Sequence, residues 1–205
     1  MIGVVDADMG NVRSVCNAVD ATGFDFARIS KPQQLDSLTH LILPGVGSFS
    51  YAMERLTNLC LSGAIIDFVR SGRPILGICL GMQIFAEMGF EPTATKGIGL
   101  IPGRVERISA GLRLPVPHVG WNAVQVAKPH PVLKQVRNNA DFYFVHSYVF
   151  RCADDRDQFG TTYYGEAFCS AVASGNVLGV QFHPEKSQVN GLRLLDAFCR
   201  WDGKC

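Results

Sequence analysis

The stretch Pro74-Ile75-Leu76-Gly77-Ile78-Cys79-Leu80-Gly81-Met82-Gln83 constrains this chain more than any other. An apolar run of strand length breaks into Gly-x-Cys-x-Gly and then resumes with helix-compatible residues, which predicts a strand, a sharp elbow and a helix. Glycines two residues either side of the cysteine leave room for a strained turn that holds its side chain clear of the backbone. Cys79 would stand at the sheet edge at a helix N-terminus, where the dipole favours thiolate and the Leu80 N–H faces a developing oxyanion. Core packing is the plainer account, because free cysteine is among the most buried residue types. A nucleophilic cysteine also needs a base, and something to orient that base.

Its 205 residues are enough for one domain with a substantial core, so residues 1–205 are read as a single domain. A formal net charge of +1 and the lack of any Lys/Arg run argue against nucleic acid or a membrane surface as the main partner. The seven cysteines (Cys16, Cys60, Cys79, Cys152, Cys169, Cys199, Cys205) are scattered, without a Cys-x-x-Cys pair. Neither a disulfide framework nor a zinc site is expected, and a reducing, cytoplasmic setting fits best. The first residues carry no basic segment, and Asp6 stops their apolar run, unlike a signal peptide. The apolar run Ile75 to Ala86 is shorter than the about 20 residues that span a bilayer, so a soluble protein is expected.

Ile2 to Val5 reads as a buried strand, followed by a turn at Met9-Gly10-Asn11 and a helix with Val12, Val15, Cys16 and Val19 on one face. Further strands are expected at Asp25 to Ile29 and Leu41 to Leu43, with helical patterning over 49–70. Apolar strands alternating with helices predict an α/β fold with a mainly parallel sheet covered on both faces. Ligands of such sheets bind beyond the carboxyl ends of the strands, where Pro44-Gly45-Val46-Gly47-Ser48 and the Cys79 elbow would converge. A dinucleotide fingerprint fails at the glycine loop, since Ser50 occupies the third glycine position. The loop can instead turn the N–H of Val46 or Gly47 into the crevice as a second oxyanion donor. From Gly97 onward, short β-branched and aromatic runs punctuated by Gly and Pro predict a β-rich, partly antiparallel half, closed by a helix over Asn190–Arg200.

The base is found near the C-terminus, where the strand Val177–Phe182 leads into His183-Pro184-Glu185-Lys186-Ser187. In an extended segment residues i and i+2 point the same way, so Glu185 can hold one imidazole nitrogen of His183 and leave the other for Cys79. The result is a Cys-His-Glu triad in which the carboxylate sets the tautomer and steadies the imidazolium.

Gly77-Ile78-Cys79-Leu80-Gly81-Met82-Gln83 together with His183-Pro184-Glu185 resembles the class I (triad) glutamine amidotransferases, whose flavodoxin-like fold matches the one read above. Pro44-Gly45-Val46-Gly47, Pro117-His118-Val119-Gly120-Trp121-Asn122, Phe142-Tyr143-Phe144-Val145-His146-Ser147-Tyr148 and the Lys186-Ser187 extension narrow the resemblance to glutaminase subunits of imidazole glycerol phosphate synthases. It runs from Met1 to the final helix. The resemblance implies glutamine as substrate, Cys79 forming a thioester, and His183 protonating the departing ammonia and then activating water. It implies Val46 and Leu80 as oxyanion donors, Gly47 and Gln83 in the glutamine pocket, and neither metal nor other cofactor. It also implies a (β/α)8 cyclase subunit as partner in a heterodimer, docked near Asn11, Trp121, Asn122, Tyr143 and Lys186. The ammonia would pass to that subunit through a channel, because free ammonia is mostly protonated at neutral pH and no longer nucleophilic.

Two departures from the family pattern stand out. Asp8 precedes Gly10-Asn11 where an aromatic and a small residue are usual, and the loop Glu91–Thr95 is shorter and less acidic. Three other readings compete: a paralogous amidotransferase feeding a sugar-modifying synthase, a stand-alone hydrolase with the same triad, and a non-catalytic glutamine-binding subunit. The intact Cys79, His183 and Glu185 disfavour the last. The glycines flanking Val46 would permit a peptide flip, which leads to the expectation that the oxyanion hole is incomplete in the isolated chain.

Overall fold

The computed structural model describes residues 1–109 and 114–204, and Cys205 of the cysteine set lies outside them. The first half alternates strand and helix: β1 (Ile2–Val5), α1 (Val12–Asp20), β2 (Phe26–Ile29), β3 (His40–Gly45), α2 (Phe49–Asn58), α3 (Leu61–Arg70), β4 (Ile75–Cys79) and α4 (Leu80–Gln83). The second half is mostly strand: β5 (Met88–Phe90), β6 (Ala94–Lys96), β7 (Gly103–Arg107), β8 (His118–Val126), β9 (Ala140–His146), β10 (Tyr148–Cys152), β11 (Gln158–Tyr164), β12 (Glu166–Ser174) and β13 (Val177–Val180), closed by α5 (Gln188–Cys199).

The strands run β2-β1-β3-β4-β13-β12-β10-β7-β5-β6, with β11, β8 and β9 continuing from β12 as an antiparallel branch. The segment β2-β1-β3-β4-β13 is parallel throughout. Its central strands are buried along their whole length, as expected of a parallel sheet covered on both faces. α1 and α5 pack on one face with Leu76, Ile78, Leu178 and Val180, while α2 and α3 pack on the other with Leu41, Leu43 and Ile75. The parallel sheet, its helices and the β-rich second half are as the sequence pattern predicts.

Three local expectations need correction. The helical pattern over 49–70 is two helices, broken where Cys60 takes a left-handed conformation (φ 56°). The helix after Cys79 is a single turn, because the carbonyls of Ile84, Phe85 and Ala86 accept from Ile98, Ile101 and Gly99 of the returning chain and cannot continue a helix. A single turn supplies little of the dipole expected to activate Cys79. Finally, Pro184–Lys186 forms a 3-10 turn, so Glu185 returns to His183 by the turn and not along an extended segment.

Candidate active site

β3, β4 and β13 end side by side, with Gly45 opposite Cys79 and Val180 opposite Ile78. Their carboxyl ends therefore deliver the Val46–Gly47 loop, Cys79 and the Gln181–His183 segment to one place. Cys79 adopts φ 54° and ψ −109°, a conformation that L-residues rarely populate. Close packing enforces the elbow: a Cβ on Gly81 would lie 1.7 Å from the Leu43 carbonyl oxygen, and one on Gly77 would lie 2.7 Å from the Gly81 carbonyl carbon. Both glycines of the motif are thus required where the chain crosses β3 and itself.

His183 is wholly buried, and its Nδ1 meets Glu185 Oε1 at 2.7 Å. A carboxylate only accepts, so Nδ1 carries the hydrogen and Nε2 is left free. That Nε2 is buried, with no hydrogen-bond partner among the described residues. Burial by itself would lower the His183 pKa. The charge of Cys79 and its polar contact with the ring, followed by Glu185, outweigh burial and push the imidazole up to about 10. The Cys79–His183 contact is therefore electrostatic in this geometry, short of a formed hydrogen bond. The Cys79 sulfur also lies 3.9 Å from the Val145 carbonyl oxygen and 3.5 Å from Gln181 Nε2.

A cavity of about 170 Å³ opens beside the sulfur, lined by Val46, Gly47, Leu80, Gln83, Glu91 and the Val145–Tyr148 wall. Gly47 and Gln83 thus border the space that the sequence predicts for glutamine, but the Gln83 amide is already engaged with Tyr148 O at 2.9 Å and Gln181 Oε1 at 3.0 Å. Leu80 opens the one-turn helix, where leading N–H groups have no intrahelical acceptor. Val46 N–H instead donates to the Met9 carbonyl at 2.8 Å, so it does not point into the cavity. Glu91 is a member that sequence reasoning missed. Its loop stands out in the sequence as short and weakly acidic, and nothing in the sequence pairs it with a loop more than forty residues earlier. Burial raises its carboxyl pKa, partly offset by a hydrogen bond from the Phe49 backbone.

The five residues predicted at a docking face divide into two groups. Trp121 is about half exposed, its ring edge-on to Tyr143 at 6.1 Å, and Lys186 Nζ lies 5.6 Å from the Tyr143 ring centre, so these three form one surface cluster. Asn122 faces its own sheet, with Nδ2 bonded to Tyr163 O at 3.0 Å and to His118 Nε2 at 3.3 Å. The Asn11 amide donates to the Glu185 carboxylate, which places it within the triad. Asp8 pairs with Arg55 of α2, tying the first loop to the helix that follows the glycine loop. Among the described residues, no group of three or more His, Cys, Asp or Glu side chains is arranged to hold a metal ion, and no helix is long and apolar enough to cross a membrane.

A buried thiol against an imidazole, with a carboxylate behind the imidazole and an adjoining cavity, is the arrangement used for nucleophilic attack on an acyl carbon. Comparisons with known proteins converge on the same chemistry. The chain is 43% identical over 201 residues to "Imidazole glycerol phosphate synthase subunit HisH" of Desulfitobacterium hafniense, covering 98% of this chain and 94% of that protein. The protein of that name from Rhodopirellula baltica is 44% identical, covering 97% and 96%. Among solved structures, one described as a glutamine amidotransferase superposes with a TM-score of 0.77 at 22% identity over 98% of each chain, and PurLQS from Thermotoga maritima with 0.76 at 20%, covering 97% and 96%; these two speak for the fold alone. A family model, "Glutamine amidotransferase class-I", matches residues 4–200. By that match and by the length and identity of its HisH relatives, this chain belongs to the class I glutamine amidotransferase family.

Proposed function

We propose that this chain hydrolyses glutamine to glutamate and ammonia as the glutaminase subunit of imidazole glycerol phosphate synthase, acting as one domain in the cytoplasm. The ammonia passes to a (β/α)8 cyclase subunit in a heterodimer, which makes imidazole glycerol phosphate and an aminoimidazole carboxamide ribonucleotide. The observation that carries this reading is Cys79 at its strained elbow beside a His183 held by Glu185, in a chain whose near-full-length relatives are HisH subunits.

The Cys79 thiolate attacks the side-chain amide carbon of glutamine, and the carbonyl oxygen takes up the negative charge. His183 gives a proton to the departing ammonia, leaving a thioester. It then takes a proton from water, which opens the thioester and releases glutamate. Glu185 keeps the His183 hydrogen on Nδ1 and Nε2 aimed at the reacting atoms. The Leu80 N–H is the first oxyanion donor. Glu91, a carboxylate on the cavity wall, suits the ammonium group of an amino-acid substrate.

Val46 is the second oxyanion donor only after its peptide turns away from Met9 O. The bond it now makes supports a hole completed on docking, and it disfavours a stand-alone hydrolase. The surface cluster of exposed Trp121 and Lys186 around half-buried Tyr143 is the docking face, joined to the triad through Lys186 beside Glu185.

Glutamate release is measured for the chain alone and then with the cyclase subunit and its ribonucleotide substrate, with Cys79→Ala as blank. A low rate that rises strongly in the mixture is expected. A high rate alone points to an independent hydrolase, and no rise points to a different synthase, such as a sugar-modifying one.

A further inference from the structure

Gln181, one residue beyond β13, is fully buried. Its backbone N–H donates to Ser170 O at 3.0 Å, which carries the pairing with β12 one residue past the strand and fixes the Cα. The side chain spans from Gln83 to Cys79, with Oε1 3.0 Å from Gln83 Nε2 and Nε2 3.5 Å from Cys79 Sγ.

Which end of the Gln181 amide faces the sulfur follows from its partners. The Tyr148 carbonyl can only accept, so Gln83 must present its NH₂ group to that oxygen. The same NH₂ group then donates to Gln181 Oε1, and Gln181 is left with its own NH₂ toward Cys79. Sulfur is the only acceptor this buried NH₂ meets among the described residues. A neutral thiol accepts weakly, whereas a thiolate accepts a charge-assisted hydrogen bond, so the buried donor is better satisfied the more charge the sulfur carries.

We propose that Gln181 is a further catalytic residue, whose side-chain N–H, aimed by Gln83, holds the Cys79 sulfur in its anionic state. This rests on the reading of Cys79 as the nucleophile. The interaction acts twice in the cycle. It favours the thiolate before attack, and it favours sulfur as leaving group when water opens the thioester, as the C–S bond breaks and its electron pair returns to Sγ. It also gives Gln83 a role other than contact with substrate, that of a positioning residue for Gln181. The ionisable groups around the sulfur and its cavity are His183 backed by Glu185, and Glu91, His146 and Tyr148 on the cavity wall, and among the described residues none of these side chains hydrogen-bonds the Gln181 amide.

The test compares Gln181→Met, which keeps the volume and removes the donor, with wild type. The readout is alkylation of Cys79 itself by iodoacetamide, followed on the Cys79 peptide by mass spectrometry from pH 6 to pH 10. Alkylation at pH 7 is expected to fall about tenfold and to recover at alkaline pH, with kcat for glutamine reduced and KM unchanged. An unchanged alkylation profile in the folded variant overturns the proposal. Should Gln181→Met fail to fold by circular dichroism, Gln83→Met decides: it frees the Gln181 amide to rotate, and it must slow Cys79 alkylation in the same sense. Failure of the underlying reading shows separately, as glutaminase activity retained by Cys79→Ala.

Discussion

The Asn11 side-chain amide donates to Glu185 Oε1, the same oxygen that meets His183 Nδ1 at 2.7 Å. A residue from the first loop of the chain thus supports the carboxylate that holds His183 near the chain's end. Glu185 Oε2 has no hydrogen-bond partner among the described residues, so the carboxylate depends on that shared oxygen for its orientation. Replacing Asn11 by Ala removes a hydrogen bond to a charged group, for which about 1.5–3 kcal/mol is typical. Glutamate release with the partner present should fall on the order of tenfold or more, and the melting temperature should drop by several degrees. Steady-state kinetics of Asn11→Ala beside Asn11→Asp checks this, and a wild-type kcat in both variants contradicts it.

Glu91 is expected to act in substrate affinity. With the carboxylate on the cavity wall turned into an amide, Glu91→Gln should raise KM for glutamine roughly tenfold and leave the rate of Cys79 alkylation by iodoacetamide unchanged. A fall in kcat with KM untouched would mean that Glu91 acts on the chemistry.

Gly81→Ala should be among the most damaging single-methyl changes in the chain. Its Cβ would sit 1.7 Å from the Leu43 carbonyl oxygen, and neither β3 nor the elbow can give way without moving Cys79. A loss of about 3 kcal/mol or more is expected from urea denaturation. The substitution Gly63→Ala, where among the described residues nothing beyond the methyl's own stretch of helix lies within 4 Å, is the control and should cost nothing of that kind.

Stability should fall with acid in a window set by three buried histidines. Burial lowers His118 and His130 from 6.5 to about 4 and His146 to about 3, the last helped by His118 next to it. Unfolded, these residues take up protons near pH 6.5, so between about pH 6.5 and 4 the unfolded state binds more protons than the native one. Stability is therefore full above pH 6.5 and is lost as pH falls toward 4, and on toward 3 for His146. His183 has the opposite sign. With its folded value raised to about 10, its contribution is full below 6.5 and disappears as pH rises through 10. Urea midpoints from pH 4 to 10 should trace a maximum near pH 6.5 that declines on both sides, and a midpoint constant from pH 6.5 down to pH 4.5 contradicts the assignment.

What was legible in the sequence had strong local pattern. Ile75–Cys79, Val177–Val180 and the helix around Val12, Val15 and Val19 declare themselves by apolar runs and periodicity, and they suffice to define the parallel sheet and to bring Cys79 and His183 to its edge. What was missed depends on distant partners. The 3-10 turn that returns Glu185 to His183, the early end of α4, the donation of Val46 N–H to Met9 and the place of Gln181 are all decided by groups that neighbouring residues do not announce. Strand β10 is also hidden from sequence, because Ser147 alone separates it from β9 and no Gly or Pro marks the turn between them.

The Met9 carbonyl that occupies Val46 N–H and the Asn11 amide that supports Glu185 stand two residues apart in a loop held to α2 by Asp8 and Arg55. They are two bolts on a single bar. Any displacement of that loop large enough to release the first also tugs at the second, so in the proposed docking-completed hole it is the Val46 peptide that turns while these six residues stay in place.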